Sequence, residues 1–471
     1  MPQILKSASR LRQIVSVFAK HGFHNVLERA RLGQFILRKI TKNETDEEKI
    51  SAAERARLAF EELGPTFIKL GQLLSTRPNL IPADFVEEFK RFHDQVSPIS
   101  FGEIRRVVEE DLGQSLTDAF LSFDETPLAA ASIAQVHSAV LRTGEQVVVK
   151  VQRPGIVKLI KEDLSVLYTI SSLFERYVPE AKAYNPQAIV DEFFKTLELE
   201  TNFLIEANNI RRISQNFMDD PTIKIPLVFD HYCTSRVLVM EKLDGFPLSQ
   251  LRGQSDVKFN RELIVERGLR AFFLMVFKHG IFHGDLHAGN LFILPDNRIG
   301  LVDFGVVGRV SPKTRDSIAS MLLAMATEDY EGLTYEYLEL APYNGAINQE
   351  QFTKEIRDLF GPYFGMTFKN VNLGKLLMDS TSIAARHSVV MPSELILFFK
   401  AVVTVEGMGR LILKDFDILK YMTDFSQEIF AAQMDPQRLM KSVLQFSKDS
   451  SSLLFVLPRQ LKQLMRKLNS R

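Results

Sequence analysis

The sequence has a single cysteine, Cys233, and no run approaching the roughly 20 apolar residues that a membrane span requires. One cysteine excludes an internal disulfide framework and indicates a reducing compartment. Cys233 lies in a strand-like run and is expected to be a small core residue. The N-terminus also lacks the apolar core and cleavage site of a secretory signal. We therefore expect a cytoplasmic protein without transmembrane helices.

Net charge is zero, but the basic residues concentrate at the two ends of the chain. Residues 1–42 carry nine Lys or Arg and one acidic residue, and the five charged residues from 450 to 471 are all basic. Both ends have helical apolar periodicity. Two interpretations stay open: helices that pack on the body, or peripheral attachment to an anionic membrane surface. The ends lack the aromatic interleaving and fold cues of a nucleic-acid binder, so no nucleic-acid partner is expected.

The order of predicted elements divides the chain into three parts. Residues 1–110 are predicted to be a helical extension, 111–245 a small β-rich lobe with inserted helices, and 246–471 a helix-rich large lobe. A length of 471 residues allows two or three such units. This order predicts an α+β, protein-kinase-like bilobal fold with an N-terminal helical extension and a helix-rich C-terminal lobe; the position of the extension over the cleft is what the family resemblance described below implies.

Several boundaries follow from local signals. Thr45 or Asp46 is expected to cap the helix that ends at Gly64-Pro65. Helical periodicity predicts two segments inserted in the small lobe, Ile156–Tyr177 and, approximately, Pro186–Met218. Turn residues between two apolar runs predict a hairpin in the large lobe, with strands Leu291–Leu294 and Ile299–Val302 joined by Pro295-Asp296-Asn297.

Residues 125–150 have the outline of a nucleotide-binding hairpin, but glycine is missing from its loop. Phosphate-binding loops are commonly glycine-rich because a backbone without Cβ can close over phosphates. Here the loop is alanine-rich, and no glycine occurs before Gly144. Ser132 and Gln135 are the candidates to contact phosphates through their side chains. The predicted cofactor-binding residues of the loop are Ala129, Ala130, Ala131, Ser132 and Gln135.

The stretch GIFHGDLHAGNLFILPDNRIGLVDFG carries the strongest chemical signal. Phosphoryl transfer needs a group that orients the nucleophile and metal ligands that neutralise phosphate charge. Asp285 and Asn290 have the Asp-x-x-x-x-Asn spacing of a catalytic loop, and the hairpin returns Asp303 of Asp303-Phe304-Gly305 to it. We predict Asp285 as catalytic, with Asn290 and Asp303 holding Mg²⁺. His283 is expected to be a packing or hydrogen-bonding residue.

Lys150, at the end of the Val147-Val148-Val149 strand, is predicted to hold phosphate oxygens while a helix carboxylate orients it. Glu198, Glu200 and Glu206 are candidates for that carboxylate, and Glu206 is favoured. The run VLVMEKLDG predicts the last strand of the small lobe and the connection between lobes. Its backbone, including Glu241 and Leu243, is expected to hydrogen-bond an adenine edge. ATP or ADP is thus the predicted nucleotide.

At this point the sequence resembles the UbiB family of atypical, protein-kinase-like proteins associated with ubiquinone biosynthesis. The resemblance covers nearly the whole chain. It rests on PTFIKLGQLLSTRPNLIP, which contains the Lys-x-Gly-Gln signature, and on PLAAASIAQVH, VVVKVQRPGI, ETNFLIEANN, VLVMEKLDG, FHGDLHAGNLF and LVDFG.

The resemblance implies a role for the alanine loop and for the helical extension. In this family the loop stands in for a glycine-rich one, and the Lys-x-Gly-Gln segment, here Lys69, Gly71 and Gln72, folds over the site. Lys69 and Gln72 are then binding-site candidates that suppress ordinary protein phosphorylation. ATP binding or slow hydrolysis is implied, coupled to an isoprenoid-lipid or membrane partner or to ubiquinone-biosynthesis proteins.

Two features depart from the family pattern. The triplet Glu200-Thr201-Asn202 has an amide where the family commonly has Asp, so a charge-based contact of that residue with the Lys-x-Gly-Gln segment is expected to be weakened or altered. Many bacterial members also continue into C-terminal membrane spans, whereas this sequence stops at Arg471. Peripheral rather than integral membrane association is the resulting expectation.

Two other function classes remain as alternatives. HGDLHAGNLF is also close to the catalytic loop of aminoglycoside- or choline-type small-molecule kinases. The Lys-x-Gly-Gln segment, the alanine loop and Asp303-Phe304-Gly305 argue against that class. The other alternative is a nucleotide-gated scaffold or lipid-handling protein without useful turnover. Intact Lys150, Asp285, Asn290 and Asp303 favour catalytic competence over it.

Overall fold

A computed structural model describes residues 2–32, 50–75, 80–92, 97–178, 185–253, 259–341, 347–363 and 372–418, together with residues 421 and 425. Met1–Lys414 form one unit and Asp415–Arg471 a second, and the elements below belong to the first. The predicted capping residues Thr45 and Asp46 and the basic residues 450–471 lie outside the described residues. Within the described ranges, no helix has the length and apolar character needed to cross a membrane.

The residues ahead of the small-lobe sheet are helical. Ser51 precedes the third helix and accepts the N–H of Glu54 at its hydroxyl, which satisfies one of the first-turn donors. Gly64 ends this helix with φ of 96°, which residues with a Cβ rarely adopt, and Pro65 begins the next. These helices are α1 (Pro2–Lys20), α2 (His24–Arg29), α3 (Ala52–Leu63), α4 (Pro65–Ser75), α5 (Ala83–Phe89), α6 (Phe101–Leu112) and α7 (Leu116–Ala119).

An aromatic cluster fixes α4, the helix of the Lys-x-Gly-Gln segment, against its neighbours. Phe60 lies 5.7 Å from Phe67, 5.0 Å from Phe89 and 6.1 Å from Phe92, measured between ring centroids. Gly71 faces this cluster, because a Cβ at position 71 would lie 2.1 Å from a ring carbon of Phe92. The close approach of the Phe92 ring therefore accounts for the glycine of the motif.

The small lobe contains an antiparallel sheet with strand order β1-β3-β4-β6 and with β2 paired to β3. Successive residues of a strand face opposite sides. Val147, Val149 and Val151 therefore share the core face, against α6, while Lys150 faces the other side. Cys233 is half-buried against the same core. The strands are β1 (Phe120–Phe123), β2 (Ala129–Ala130), β3 (Ala134–Leu141), β4 (Gln146–Gln152) and, after the inserted helices and β5 (Ile223–Lys224), β6 (Val237–Glu241).

The inserted helices are α8 (Ile156–Tyr177), α9 (Pro186–Glu200) and α10 (Phe203–Asn216). The first has the predicted bounds. The prediction of one continuous second segment is wrong, because the chain leaves the helix at Thr201-Asn202. The Asn202 side chain accepts the N–H of Leu204 at 3.2 Å and thereby caps α10, a use for which asparagine is well suited.

The large lobe has two small sheets, ordered β5-β10-β9-β7 and β11-β8. The predicted hairpin is confirmed: β9 and β10 are antiparallel, with Leu294 opposite Arg298, and Pro295–Asn297 form the turn. The remaining strands are β7 (Phe246–Pro247), β8 (Ile281–His283), β9 (Leu291–Leu294), β10 (Arg298–Leu301) and β11 (Val307–Arg309), and the helices are α11 (Arg261–Phe273), α12 (Pro312–Ala326), α13 (Tyr330–Leu340), α14 (Gln349–Phe360), α15 (Leu373–Arg386) and α16 (Ser393–Ile412).

We predict that Gly71→Ala destabilises the protein by about 1–3 kcal/mol, because α4 or Phe92 has to move to admit the methyl group. Chemical denaturation measures the loss. Gly102→Ala is the matched control: nothing lies within 4 Å of a Cβ at that helical position, so stability should be unchanged or rise by up to about 1 kcal/mol. Equal stability of Gly71→Ala and the parent would contradict this account of the motif.

Candidate active site

Lys150 joins the small-lobe sheet to both α10 and the large lobe. Its position on β4 lies opposite Val136 and Leu238, on the face away from the small-lobe core. The ammonium donates to the two carboxylate oxygens of Glu206 at 3.0 and 2.9 Å and to Oδ1 of Asp303 at 3.3 Å. The structure therefore brings together three of the predicted site residues.

Burial and neighbouring charges shift the pKa values of Lys150 and Asp303 in opposite directions. Burial alone would lower the pKa of Lys150, but the carboxylates of Asp303 and Glu206 outweigh it and raise that pKa. Burial raises the pKa of Glu206, whose side chain is only 4% exposed. Desolvation would also raise the pKa of Asp303, yet the ammonium of Lys150 lowers it to about 2. Lys150 therefore stays charged, and a half-exposed carboxylate remains ionised beside it.

The predicted catalytic loop is tied to the strand that carries Asp303. The amide nitrogen of Asn290 donates to the backbone oxygen of Asp285 at 3.0 Å. The backbone oxygen of Asn290 accepts the N–H of Val302, also at 3.0 Å. Since Val302 immediately precedes Asp303, these bonds connect Asp285, Asn290 and Asp303 in one network. With its side-chain nitrogen donating to Asp285, the Asn290 amide keeps its oxygen as an acceptor.

His283 supports the loop from beneath, as predicted. It is fully buried, and its Nε2 lies 3.0 Å from the backbone oxygen of Val302. Its Nδ1 accepts the N–H of Asp285 at 3.2 Å. These partners require the neutral ring with its proton on Nε2, and burial lowers the pKa of His283 accordingly. The expected hydrogen-bonding role of His283 is confirmed.

Asp303 has a backbone conformation that is uncommon outside glycine. Its φ is 60°, in the left-handed region. The following residue, Phe304, is fully buried, its ring lies 5.1 Å from that of His283, and its backbone oxygen accepts the side-chain amide of Asn209. Buried contacts of Phe304 thus hold a strained residue in place, a pattern that occurs at functional sites.

The alanine loop is a tight turn that Arg153 holds closed. Ala131 donates its N–H to the oxygen of Ala134 at 2.8 Å. The Arg153 guanidinium donates to the oxygen of Ala131, also at 2.8 Å, and the Arg153 N–H donates to Ile133. Ser132 at the tip is buried, and its hydroxyl has no hydrogen-bond partner within the described structure. A ligand could supply the missing partner.

The predicted phosphate contact of Gln135 is wrong. Its side chain is fully buried, donates to Nε2 of His137 at 3.0 Å and accepts the N–H of Ile99 at 2.9 Å. Gln135 lies next to Val136, the partner of Lys150, so strand alternation turns Gln135 to the sheet face opposite Lys150.

At the connection between the lobes, the bonds of Glu241 limit how this residue can contact an adenine. The Glu241 carboxylate lies 2.7 Å from Lys224 and accepts the N–H of Leu227, and the Glu241 N–H donates to the oxygen of Leu227. Any adenine contact of Glu241 is thereby limited to its carbonyl oxygen. Leu243 is buried beside Gly300 of β10. Adenine binding at Glu241 and Leu243 stays a prediction.

The Lys-x-Gly-Gln helix contacts the inserted helices through Lys69. Its ammonium lies 3.3 Å from a carboxylate oxygen of Glu200, the last residue of α9, and both side chains are largely buried. Gln72 lies on α4, one turn after Lys69. The lysine contact thus uses Glu200, whereas Asn202, expected to affect a charge-based contact, caps α10.

Sequence reasoning assigned no role to Lys400 or Arg153. Lys400 lies on α16 and donates to Oδ1 of Asp285 at 3.0 Å. Burial would raise the pKa of Asp285, but this ammonium outweighs it and the pKa lies below its usual range. The sequence carries one signal for Lys400: it is the cation within the apolar run LILFFKAVVTV, where a buried charge without a partner would be costly. Arg153 lies in VVVKVQRPGI, one of the segments on which the family resemblance rests.

Comparison with known proteins agrees with this architecture. Residues 91–337 match the family model of the ABC1 atypical kinase-like domain, and residues 356–417 match that of the UbiB helical domain. A Marinobacter nauticus protein named "Probable protein kinase UbiB" is 34% identical over 84% of this chain and 73% of that protein. A Cellvibrio japonicus protein of the same name is 32% identical over 93% of this chain and 80% of the relative.

Among solved structures, Rv3197 of Mycobacterium tuberculosis, determined in complex with erythromycin, has a similar fold. The TM-score is 0.51 at 23% identity, over 72% of this chain and 90% of that one. At this identity the likeness concerns the fold alone. Together with the domain match, it confirms the predicted α+β, kinase-like bilobal fold.

We predict that Lys150→Met costs on the order of 3 kcal/mol of stability, because it leaves the Glu206 carboxylate buried without its main cation. The double variant Lys150→Met/Glu206→Gln should recover part of this loss. Denaturation curves of the parent and both variants make the comparison.

Arg105→Met is the control for loss of an ion pair as such. Arg105 pairs with Glu109 at 2.9 Å on the surface, with half of its own side chain exposed, so its removal should cost no more than about 0.5 kcal/mol. Equal stability of the single and double variants at Lys150 would contradict the buried-charge explanation.

Proposed function

Because the chain belongs to the UbiB family of atypical kinase-like proteins, we propose that it is an Mg²⁺-dependent ATPase or phosphotransferase. It supports ubiquinone or other isoprenoid-lipid metabolism at a membrane surface, and its activity as an ordinary protein kinase is suppressed. The observation that carries this proposal is the contact of Lys150 with both Glu206 and Asp303, beside the loop of Asp285 and Asn290.

Lys150 is the proposed phosphate-binding cation. Glu206 on α10 accepts two N–H groups of the ammonium, and the third is directed across the cleft toward Asp303. An ATP oxygen could accept the N–H that now binds Asp303, and the buried, partnerless hydroxyl of Ser132 could donate to another oxygen once the loop opens. Both features fit a triphosphate, since its oxygens are acceptors in need of donors and positive charge.

Asn290 and Asp303 are the proposed ligands of Mg²⁺. An ionised carboxylate and an amide oxygen match the oxygen ligands that this cation prefers. The ion would neutralise charge on the phosphates. The ionised Asp303 carboxylate is half-exposed, so an added cation could bind it at this point.

Asp285 is the proposed acceptor for the proton of the attacking water or hydroxyl. The bonds through its backbone N–H and oxygen fix its position, and its side chain is about a third exposed. Positioned acid–base groups of this kind contribute about 10²–10⁴-fold to the rate. A low pKa keeps the carboxylate in the form that accepts a proton.

The alanine loop and α4 are the proposed reasons for suppressed protein phosphorylation. Each alanine carries a Cβ that restricts φ and holds the backbone away from a phosphate. Arg153 removes further freedom from the loop by binding Ala131. The Lys69–Glu200 pair adds a helix beside the inserted helices, where the resemblance to the family suggests that a protein substrate would otherwise lie.

The lipid part of the proposal rests on relatives and charge. The Marinobacter nauticus and Cellvibrio japonicus relatives carry the name UbiB, and residues 1–42 have nine basic residues and one acidic residue. The apolar residues Val15 and Ala19 of α1 are buried against Ile170 and Leu173 of α8, so the proposed attraction to anionic lipid headgroups rests on the basic charge of this end. The membrane partner is therefore an anionic surface, and the acceptor class is an isoprenoid lipid or quinone-like phenol.

We predict that Asp285→Asn lowers the kcat for phosphate release from Mg·ATP at least about 100-fold while nucleotide affinity changes little, because the amide cannot accept the proton. Turnover is measured with and without anionic liposomes and a quinone-like phenol, and lipid should raise it in the parent. Nucleotide binding without turnover would favour the scaffold alternative. Label transfer to an aminoglycoside or choline would favour the small-molecule kinase.

We further predict that Lys69→Met raises transfer of labelled phosphate to the chain itself or to a general protein substrate several-fold, because it releases α4 from Glu200. Glu200→Gln should act in the same direction, and adding Asp285→Asn should abolish the gain. Lys20→Met is the matched control, since it removes another lysine–carboxylate pair within the extension, that with Glu62. No gain in either variant would contradict the suppressing role.

A further inference from the structure

The most informative unassigned contact in the described structure is that of Lys400 with Asp285. Lys400 lies in the middle of α16, and its ammonium is 3.0 Å from Oδ1 of Asp285, 115 residues away in the chain. The other charged residues of this helix are used within the large lobe. Glu406 accepts the N–H groups of Leu373 and Gly374 and pairs with Arg410, and Glu394 accepts the hydroxyl of Thr314.

Packing fixes α16 directly against the loop that carries Asp285. A Cβ at Gly284 would lie 3.1 Å from the side chain of Leu397, so the backbone beside Asp285 nearly touches this helix. Residues three apart on a helix share a face, which places Lys400 one turn beyond Leu397 on the same side. Phe398 stacks on Phe272 at 6.2 Å and meets Phe282 edge-on at 6.3 Å. The packing of α16 therefore holds the backbone of Lys400 in place beside Asp285.

The contact has a specific consequence for the carboxylate. A carboxylate whose oxygens are both unheld rotates broadly about its terminal torsion. The ammonium engages Oδ1, which leaves Oδ2 as the oxygen that can face a nucleophile. Other bonds hold the backbone of Asp285 at its N–H and oxygen, but they leave the side-chain torsions free.

We propose that Lys400 is a positioning residue that orients the Asp285 carboxylate, so that the helical domain completes the active site. This inference rests on the proposed function. The two residues belong to different matched segments: Asp285 lies within the kinase-like residues 91–337 and Lys400 within the helical residues 356–417. The helical segment thus contributes to chemistry as well as to packing.

An ordinary surface ion pair is the competing explanation. Both side chains are about a third exposed, and pairs of that kind contribute about 0–1 kcal/mol to stability. This small value makes the test practicable, because Lys400→Met should fold. Stability cannot separate the two explanations, so the deciding quantities are kcat, KM and the coupling between Lys400 and Asp285.

The test compares the parent, Lys400→Met, Lys400→Arg, Asp285→Asn and the double variant Lys400→Met/Asp285→Asn, with Mg·ATP as the substrate and phosphate release as the readout. We expect Lys400→Met to lower kcat about 10- to 100-fold, a loss of the size expected when a reacting group is misplaced. KM and the nucleotide Kd should stay within about twofold. Lys400→Arg should recover most of kcat because it keeps a cation at the same reach.

The double variant and a control complete the design. If Lys400 acts through Asp285, the double variant is no slower than Asp285→Asn alone, since effects of residues that act as a unit are not additive. Lys313→Met is the control, because it removes an exposed pair with Glu339 at 3.4 Å and leaves both lobes' site residues intact.

Three results would overturn the inference while leaving the proposed function standing: unchanged kcat in Lys400→Met beside an inactive Asp285→Asn, multiplicative losses in the double variant, or a raised KM at constant kcat. Parent-like turnover in Asp285→Asn, or no turnover in the parent under any lipid condition, refutes the proposed function itself. The two failures are therefore distinguishable.

Discussion

The structure depends on one ammonium shared by two carboxylates. A buried charge is costly unless it is paired, and Lys150 finds its partners on α10 and at the end of β10's hairpin. The sheet, the inserted helices and the Asp303 loop must therefore all be in place at once. This constraint fixes the relation between the small-lobe sheet and the residues that the large lobe contributes to the cleft.

The alanine loop and the Lys-x-Gly-Gln helix are each held in place by specific contacts. Arg153 binds the carbonyl oxygen of the loop at Ala131, so the turn is closed by protein groups. Gly71 lets α4 approach the Phe92 ring, and Lys69 on that helix reaches the end of α9. The glycine thus permits close packing of α4, and the alanines limit the backbone freedom of the loop.

Helix α16 adds a third source of constraint from a distant part of the chain. Phe398 of this helix packs against Phe272 and Phe282, and Lys400 lies on Asp285. The chemistry proposed for Asp285 therefore draws on both segments that match known families. Loss of the helical segment would remove an orienting partner from the loop, although every residue of the loop itself would remain.

The sequence by itself determined the features that depend on local spacing. Turn residues predicted the hairpin that begins at Leu291, and the Asp-x-x-x-x-Asn spacing predicted the loop before it. Helical periodicity predicted a helix over Ile156–Tyr177, and α8 has these bounds. Glu206 was favoured over two neighbouring carboxylates and does meet Lys150. Only the tertiary structure decided which side of the sheet the Gln135 side chain faces. A shift of one residue in the register turns every side chain of a strand to the opposite side, and the pairing of β3 with β4 sets that register. It also decided the partner of Asp285: nothing local relates two residues 115 positions apart, and only the packing of α16 under the loop brings Lys400 to that carboxylate.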